Sequence, residues 1–252
     1  MCIAFLFIGD EDFPTLICNN RDEYFVRPTL RGSISSENDS ISYAPKDLEG
    51  GGTWIAVDQK MKQDQLKFAI VLNYDVYRDK YDYGSYDERS LKSRGKLVQH
   101  FINPTNTATI VEETEEVRNN MSAKEYAEYI FQNRYSYRPF NLIVSDSVSG
   151  TYYVSWSKAQ LEVHSLLPGQ LYGITNGYMY GEWEKVEQGK MALERIIRSG
   201  RYDAKALVAC LQEGYEVNDS MTSHSYHNAN NSNSNNDSES GIIVSTDNVY
   251  TI

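Results

Sequence analysis

The feature that most constrains this chain is that its apolar residues come as short runs in pairs, each pair bracketing a turn. Residues 2–8 and 15–20 flank an acidic, Pro-containing turn at 9–14. Residues 52–58 (GTWIAVD) and 68–74 (FAIVLNY) flank a polar loop, and 140–146 and 151–157 flank Ser149-Gly150. A short apolar run that returns through a turn reads as a β-hairpin, so the sheets are expected to be largely antiparallel. Helical spacing falls between the hairpins. Leu91, Leu97, Val98, Phe101 and Ile102 share one face of residues 88–102, and Ser122-Ala-Lys-Glu125 is a capping box opening a helix that turns Tyr126, Ile130 and Phe131 inward. Residues 183–199 and 203–214 read as two further helices stopped by Gly200 and Gly214, and 241–245 as a last strand. Sheets and helices in alternating blocks suit one layered α+β domain over residues 1–252.

Composition then narrows the function classes. Forty per cent of the 252 residues are hydrophobic, enough to bury a sizeable core. Lys and Arg number 24 against 35 acidic residues, a net charge of −11, which argues against a nucleic-acid partner because counterion release needs a basic face. The run 2–8 is too short for a membrane span and lacks the basic flank of a signal peptide, so no integral membrane segment is expected. Three cysteines without Cys-x-x-Cys spacing point to a reducing, cytoplasmic setting. His100, His164, His224 and His227 show no ligand spacing, and neither metal nor cofactor is expected. Residues 75–88, rich in Tyr and Asp, read as a functional loop, and 218–240, almost wholly Asn, Ser, Asp and His, as a disordered insert.

Three segments carry residues suited to chemistry. Cys2 follows the initiator Met and is small, so Met1 is expected to be removed; the freed α-amino group, with a pKa near ~8, could then serve as base for the thiol. The same cysteine could equally be a small hydrophobe in a strand. In Asn19-Asn20-Arg21-Asp22-Glu23-Tyr24 an extended backbone sends Arg21 and Glu23 to one side and Asn20 and Asp22 to the other, and Arg27-Pro28 adds a rigid kink. One side could hold a guanidinium near the thiol, the other a carboxylate near the amine; an ordinary solvated turn is the alternative. In Glu49-Gly50-Gly51-Gly52-Thr53-Trp54 the glycines permit close backbone approach to a ligand or another strand. Asn73, at a strand end, and Asn176, in Tyr172-Gly-Ile-Thr-Asn-Gly177, could donate into an oxyanion hole or simply cap turns.

Taken together, the Met-Cys-Ile start, Asn20-Arg21-Asp22-Glu23 with Arg27-Pro28, Gly51-Gly52-Thr53-Trp54, Leu72-Asn73-Tyr74, Ser93-Arg94-Gly95, Phe140-Asn141-Leu142 and Gly173-Ile-Thr-Asn176 resemble, in this order, the NRDE family of the transport and Golgi organisation type. The Tyr-rich loop and the Asn-rich insert resemble its fungal members. The resemblance implies a four-layer αββα sandwich similar to the N-terminal-nucleophile (Ntn) hydrolases, with Cys2 in the nucleophile position. It also implies cytoplasmic, mitochondrial or Golgi-associated roles in Golgi organisation, protein secretion, and haem or acyl-CoA handling. Cysteine Ntn amidases separate the active-site Arg and Asp by two residues, whereas Arg21 and Asp22 are adjacent here.

Three functions follow. The first is a carrier of a hydrophobic anionic metabolite, haem or acyl-CoA, held by Asn20, Arg21, Glu23, Arg27, Gly52 and Trp54. The second is an amide or thioester hydrolase with Cys2 as nucleophile, Asp22 orienting its amine, and Asn73 and Asn176 as oxyanion donors. The third is a secretory-pathway scaffold. The adjacent Arg21-Asp22 pair favours the carrier.

Overall fold

In the computed structural model, residues 2–9, 15–24, 26–32, 34–37, 40–60, 65–78, 82–84, 87–102, 121–199, 207, 242–244 and 249–251 are described. The strands are β1 (Ile3–Phe7), β2 (Leu16–Asn20), β3 (Thr29–Leu30), β4 (Ile34–Glu37), β5 (Ser40–Tyr43), β6 (Lys46–Asp47), β7 (Ile55–Lys60), β8 (Gln65–Asn73), β9 (Phe140–Asp146), β10 (Gly150–Ser155), β11 (His164–Leu166), β12 (Leu171–Ile174), β13 (Ile242–Val244) and β14 (Val249–Thr251). The α-helices are α1 (Gly95–Ile102), α2 (Ala123–Gln132) and α3 (Glu184–Ser199). One sheet has the order β12-β1-β2, and a seven-stranded one the order β11-β10-β9-β8-β7-β5-β4. Every pairing in both is antiparallel, as the hairpin pattern requires. The β3–β6 ribbon and the β13–β14 hairpin stand apart from both sheets, the hairpin lying beside β2.

Side-chain alternation along the strands builds the layers. In β1, Ala4 and Leu6 face the seven-stranded sheet, while Ile3, Phe5 and Phe7 face α3. In β8, Phe68, Ile70 and Leu72 meet Ala4, Leu6 and Ile17 across the sandwich, whereas Ala69 and Val71 pack under α1 and α2. Ile55 and Val57 against Ala56, and Ile143 against Leu142 and Val144, divide in the same way. The order from outside to outside is therefore helix, sheet, sheet, helix, the expected αββα sandwich. The central strands β1, β2, β8 and β9 are buried on both faces along most of their length, so they read as continuous apolar runs, and each such side chain contributes about 1.5–3 kcal/mol when withdrawn from water.

The α2 capping box forms as read: Ser122 Oγ accepts from the Glu125 amide while the Glu125 carboxylate accepts from the Ser122 amide. The helix expected over 88–102 is shorter. Lys92 is bridged in extended conformation to Tyr137, with Lys92 N–H donating to Ser136 O and Arg138 N–H to Lys92 O, so helical backbone starts only at Gly95. β7 likewise begins at Ile55 rather than residue 52, because residues 48–50 form a turn closed by the Gly51 N–H donating to Asp47 O, and Gly51 adopts φ +67°. β3 to β6, β11 and β12 carry no strong apolar run and were not expected. The expected insert at 218–240 lies outside the described residues, as does the helix at 203–214 apart from Leu207, which is buried in the cluster that includes Phe5 and Val186.

Candidate functional site

The chemistry-bearing segments converge where β2 leaves the three-stranded sheet. Cys2 lies one residue before β1, level with Arg21 in the β1–β2 register. Its Sγ accepts the Asp22 N–H at 3.4 Å and lies 3.6 Å from Asp22 O, and its carbonyl accepts Thr175 Oγ1–H at 2.9 Å. Burial pushes the Cys2 thiol above its ordinary range; the positive charges of the chain's terminal amine, Arg21 and Arg94 oppose that shift and Glu23 adds to it. Lys185, in the first turn of α3, is within electrostatic reach of the same thiol, and burial holds its ammonium below the usual lysine range.

Beyond β2 the alternation read from sequence holds for Arg21 and Glu23. Both line one cleft of about 120 Å³ together with Arg27, Asp47, Gly50, Gly52, Thr53, Trp54, Val71, Asn73, Ser93, Arg94, Gly95 and Arg138. The Arg21 side chain is only 9% exposed. Its guanidinium sits 4.4 Å above the Trp54 ring, donates to Thr29 Oγ1 at 3.0 Å, and lies 3.7 Å from Glu23 and 3.9 Å from Asp47. Arg27 grips Asp47 through Nε (3.0 and 3.2 Å) and Nη2 (2.7 Å), the fork geometry that suits a guanidinium to a carboxylate. Burial alone would raise the Asp47 carboxyl, but bonds from Arg27 and from the Gly50 and Glu49 amides hold it below its ordinary range. Asp47 thereby fixes the glycine turn. Arg94 donates from Nη1 to Pro139 O at 2.9 Å.

Two glycines let the walls meet. A methyl group on Gly52 would lie 2.8 Å from Gly95 Cα, so the turn before β7 touches the start of α1 backbone to backbone. The first turn of α1 contains no acidic residue, and its positive dipole end adjoins Arg94. Four arginines against two carboxylates leave this wall cationic on a chain whose net charge is −11.

A family profile described as Transport and Golgi organisation 2 matches residues 1–251. The chain belongs to that family. The Transport and Golgi organization protein 2 of Drosophila melanogaster is 25% identical over 230 residues, spanning 84% of this chain and 71% of its own length.

In this member of the Transport and Golgi organisation 2 family, five of the six residues read as ligand-binding, Arg21, Glu23, Arg27, Gly52 and Trp54, line the cleft, and so does Asn73. Asn20, the last residue of β2, does not; it is level with Ile3 in the ladder. Cys2 and Asp22 stand beside the cleft through the thiol-to-backbone contact. The Asn176 amide donates to Asn73 O at 2.8 Å, so one of its N–H bonds ties the loop after β12 to the end of β8, and its Oδ1 is buried without a partner. Sequence reasoning missed Asp47, Arg138 and Lys185. It also gave no role to Asn141, a fully buried amide bonded to Tyr153 and to the loop at 175–177.

Among the described residues no three His, Cys, Asp or Glu side chains converge as metal ligands, and no helix is long and apolar enough to cross a membrane. A second cavity, about 460 Å³, lies on the helix face of the seven-stranded sheet beside Asp58, Lys67 and Asp146. It borders Ile102 and Met121, between which the chain is outside the described residues.

Proposed function

We propose that the arginine cleft holds the anionic end of a hydrophobic metabolite, haem or a long-chain acyl-CoA, and that the protein carries such a molecule in support of Golgi organisation and protein secretion. The observation that carries this reading is Arg21: a guanidinium 9% exposed, stacked on Trp54, in a cleft where arginines outnumber carboxylates. Whole small-molecule ligands occupy pockets of roughly 300–1,000 Å³. A cleft of about 120 Å³ fits a carboxylate or phosphate and leaves the apolar body outside. Release of the ligand is then easy, as carriage requires.

The hydrolase reading rests on the Cys2 thiol, set on the Asp22 amide within reach of Arg21 and Arg94. Burial nonetheless raises that thiol, whereas activated cysteines have their pKa lowered. Together with the adjacency of Arg21 and Asp22, which gives the guanidinium to the cleft, this favours carriage over hydrolysis. The test compares Arg21→Ala with Cys2→Ala for binding of haem and a long-chain acyl-CoA, with acyl-CoA hydrolysis followed in parallel. A charge-assisted contact contributes about 1.5–3 kcal/mol, so Arg21→Ala is expected to weaken binding by roughly 10- to 150-fold. Cys2→Ala is expected to be nearly silent. Turnover that depends on Cys2 would overturn the ranking and make the protein an N-terminal-cysteine hydrolase.

A further inference from the structure

We infer that the turn carrying Tyr24 and Val26, with Leu30 and Leu48 beside it, is a docking lip that seats the arginine cleft on a bilayer surface containing anionic phospholipid. Tyr24 is 81% exposed and Val26 91%, and Leu30 and Leu48 are more than half exposed. Single apolar residues on a surface are ordinary. Tyr24 and Val26 share one turn beside the cleft wall, and Leu30 and Leu48 belong to the segments bonded next to it. Tyr24 and Val26 lie between Glu23 and Arg27, both wall residues of the cleft and 3.8 Å apart, and the turn is closed by the Arg27 N–H donating to Tyr24 O at 2.9 Å. Leu48 donates its N–H to Pro28 O at 3.0 Å, and Leu30 pairs with Lys46 in the β3–β6 ribbon. Arg27 is locked onto Asp47, so the turn is held outward by ion pairs at its base.

Charge selects the partner. With a net charge of −11 the chain as a whole is repelled by an anionic membrane. On this face Arg21, Arg27, Arg94 and Arg138 stand against Glu23 and Asp47, with Glu49 beside Arg27, so it is the face that can approach. An apolar tip beside cationic groups is the combination that holds peripheral proteins at the headgroup boundary. The cleft admits a phosphate but not acyl chains, which suits a lipid whose tails stay in the bilayer. The inference rests on the anion-binding reading of the cleft and adds where the protein meets such anions.

The experiment is flotation of the full chain with phosphatidylcholine vesicles, with and without phosphatidylserine, alongside titration with a soluble long-chain acyl-CoA below its micelle concentration. The proteins are wild type, the double variant Tyr24→Ser/Val26→Asp, and Arg21→Ala, each checked for unchanged thermal unfolding. Phosphatidylserine-dependent flotation that falls about tenfold or more in the lip variant, with acyl-CoA affinity within about threefold of wild type, is the expected result. Acyl-CoA binding without flotation, or flotation unchanged in the lip variant, overturns the lip and leaves the cleft reading standing. Parallel loss of acyl-CoA and vesicle binding in the lip variant also overturns it, because the lip would then hold the ligand's own tail. Acyl-CoA affinity indifferent to Arg21→Ala removes the cleft reading itself, and the lip with it.

Discussion

Asn141→Ala is expected to be the most damaging single polar substitution near the site. Asn141 lies in β9 and is fully buried. Its Nδ2 donates to Thr175 O at 2.9 Å and to Gly177 O at 2.7 Å, and its Oδ1 accepts the Tyr153 O–H at 2.8 Å. The loop it clamps carries Thr175, which holds the Cys2 carbonyl, and Asn176, which holds the end of β8. Alanine removes three hydrogen bonds at once: the buried Thr175 and Gly177 carbonyls lose the amide donor, and the Tyr153 hydroxyl keeps the bond it accepts from the Met179 N–H but loses its acceptor. Each stranded group costs about 1–3 kcal/mol, and partial entry of water into the space left behind lowers the sum, so a loss of about 3–5 kcal/mol is expected. That is a large share of the roughly 5–15 kcal/mol that holds a domain folded. Urea unfolding followed by tryptophan fluorescence measures it, with the denaturant slope unchanged. Asn141→Asp should be no better, because a carboxylate oxygen would face the two carbonyls that the amide now satisfies. A loss below about 1 kcal/mol for the alanine variant would refute the clamp.

Gly52→Ala should cost about 1–3 kcal/mol and weaken ligand binding together, because the methyl meets the Gly95 backbone rather than a movable side chain; unchanged unfolding and binding would show that α1 can shift aside. Burial holds the His164 imidazole below its ordinary range, Glu162 opposing, so the folded state favours the neutral ring. Its contribution is present above about pH 6.5 and is lost as pH falls through the lower folded value, so the melting temperature should fall as pH drops below about 6.5, less steeply in His164→Gln. An identical slope in the variant would assign the loss to other groups. Because burial raises the Cys2 thiol, its alkylation rate, read by peptide mass spectrometry, should still be rising above about pH 8.5; a plateau near neutral pH would mark an activated thiolate and favour the hydrolase.

The layers were legible because burial on both faces of a strand leaves unbroken apolar runs, and runs 2–8, 68–74 and 140–146 became β1, β8 and β9. The α2 start was legible because a capping box is a local device, complete within four residues. β11 and β12 were not, since His164–Leu166 is short and polar and Leu171–Ile174 holds a glycine that makes room for Val186. Both owe their strand state to neighbours far along the chain. For the cleft, Arg21, Glu23, Arg27, Gly52 and Trp54 were legible from strand alternation, glycine punctuation and family resemblance. Asp47 was not: its work is to bind Arg27, twenty residues away, and the amides of its own turn, and a lone Asp before Leu-Glu-Gly carries no sign of either. Lys185 reaches Cys2 from the outer helix layer, a relation no sequence spacing encodes.

The adjacency of Arg21 and Asp22 bears directly on what the site can do. On an extended strand neighbours diverge, so Arg21 and Glu23 enter the cleft while the backbone of Asp22 meets the thiol. Arg21 is engaged by Trp54, Thr29, Glu23 and Asp47, and it acts on Cys2 only at electrostatic range, too weakly to reverse the effect of burial. The side chain of Asp22 is not among those that line the cleft. The present order gives the cation to the cleft and leaves the thiol in an environment that favours its protonated form. A cysteine just before β1 can thus keep its place while the charged residues that follow β2 line the cleft, and this is why Arg21 rather than Cys2 is expected to carry the larger mutational effect.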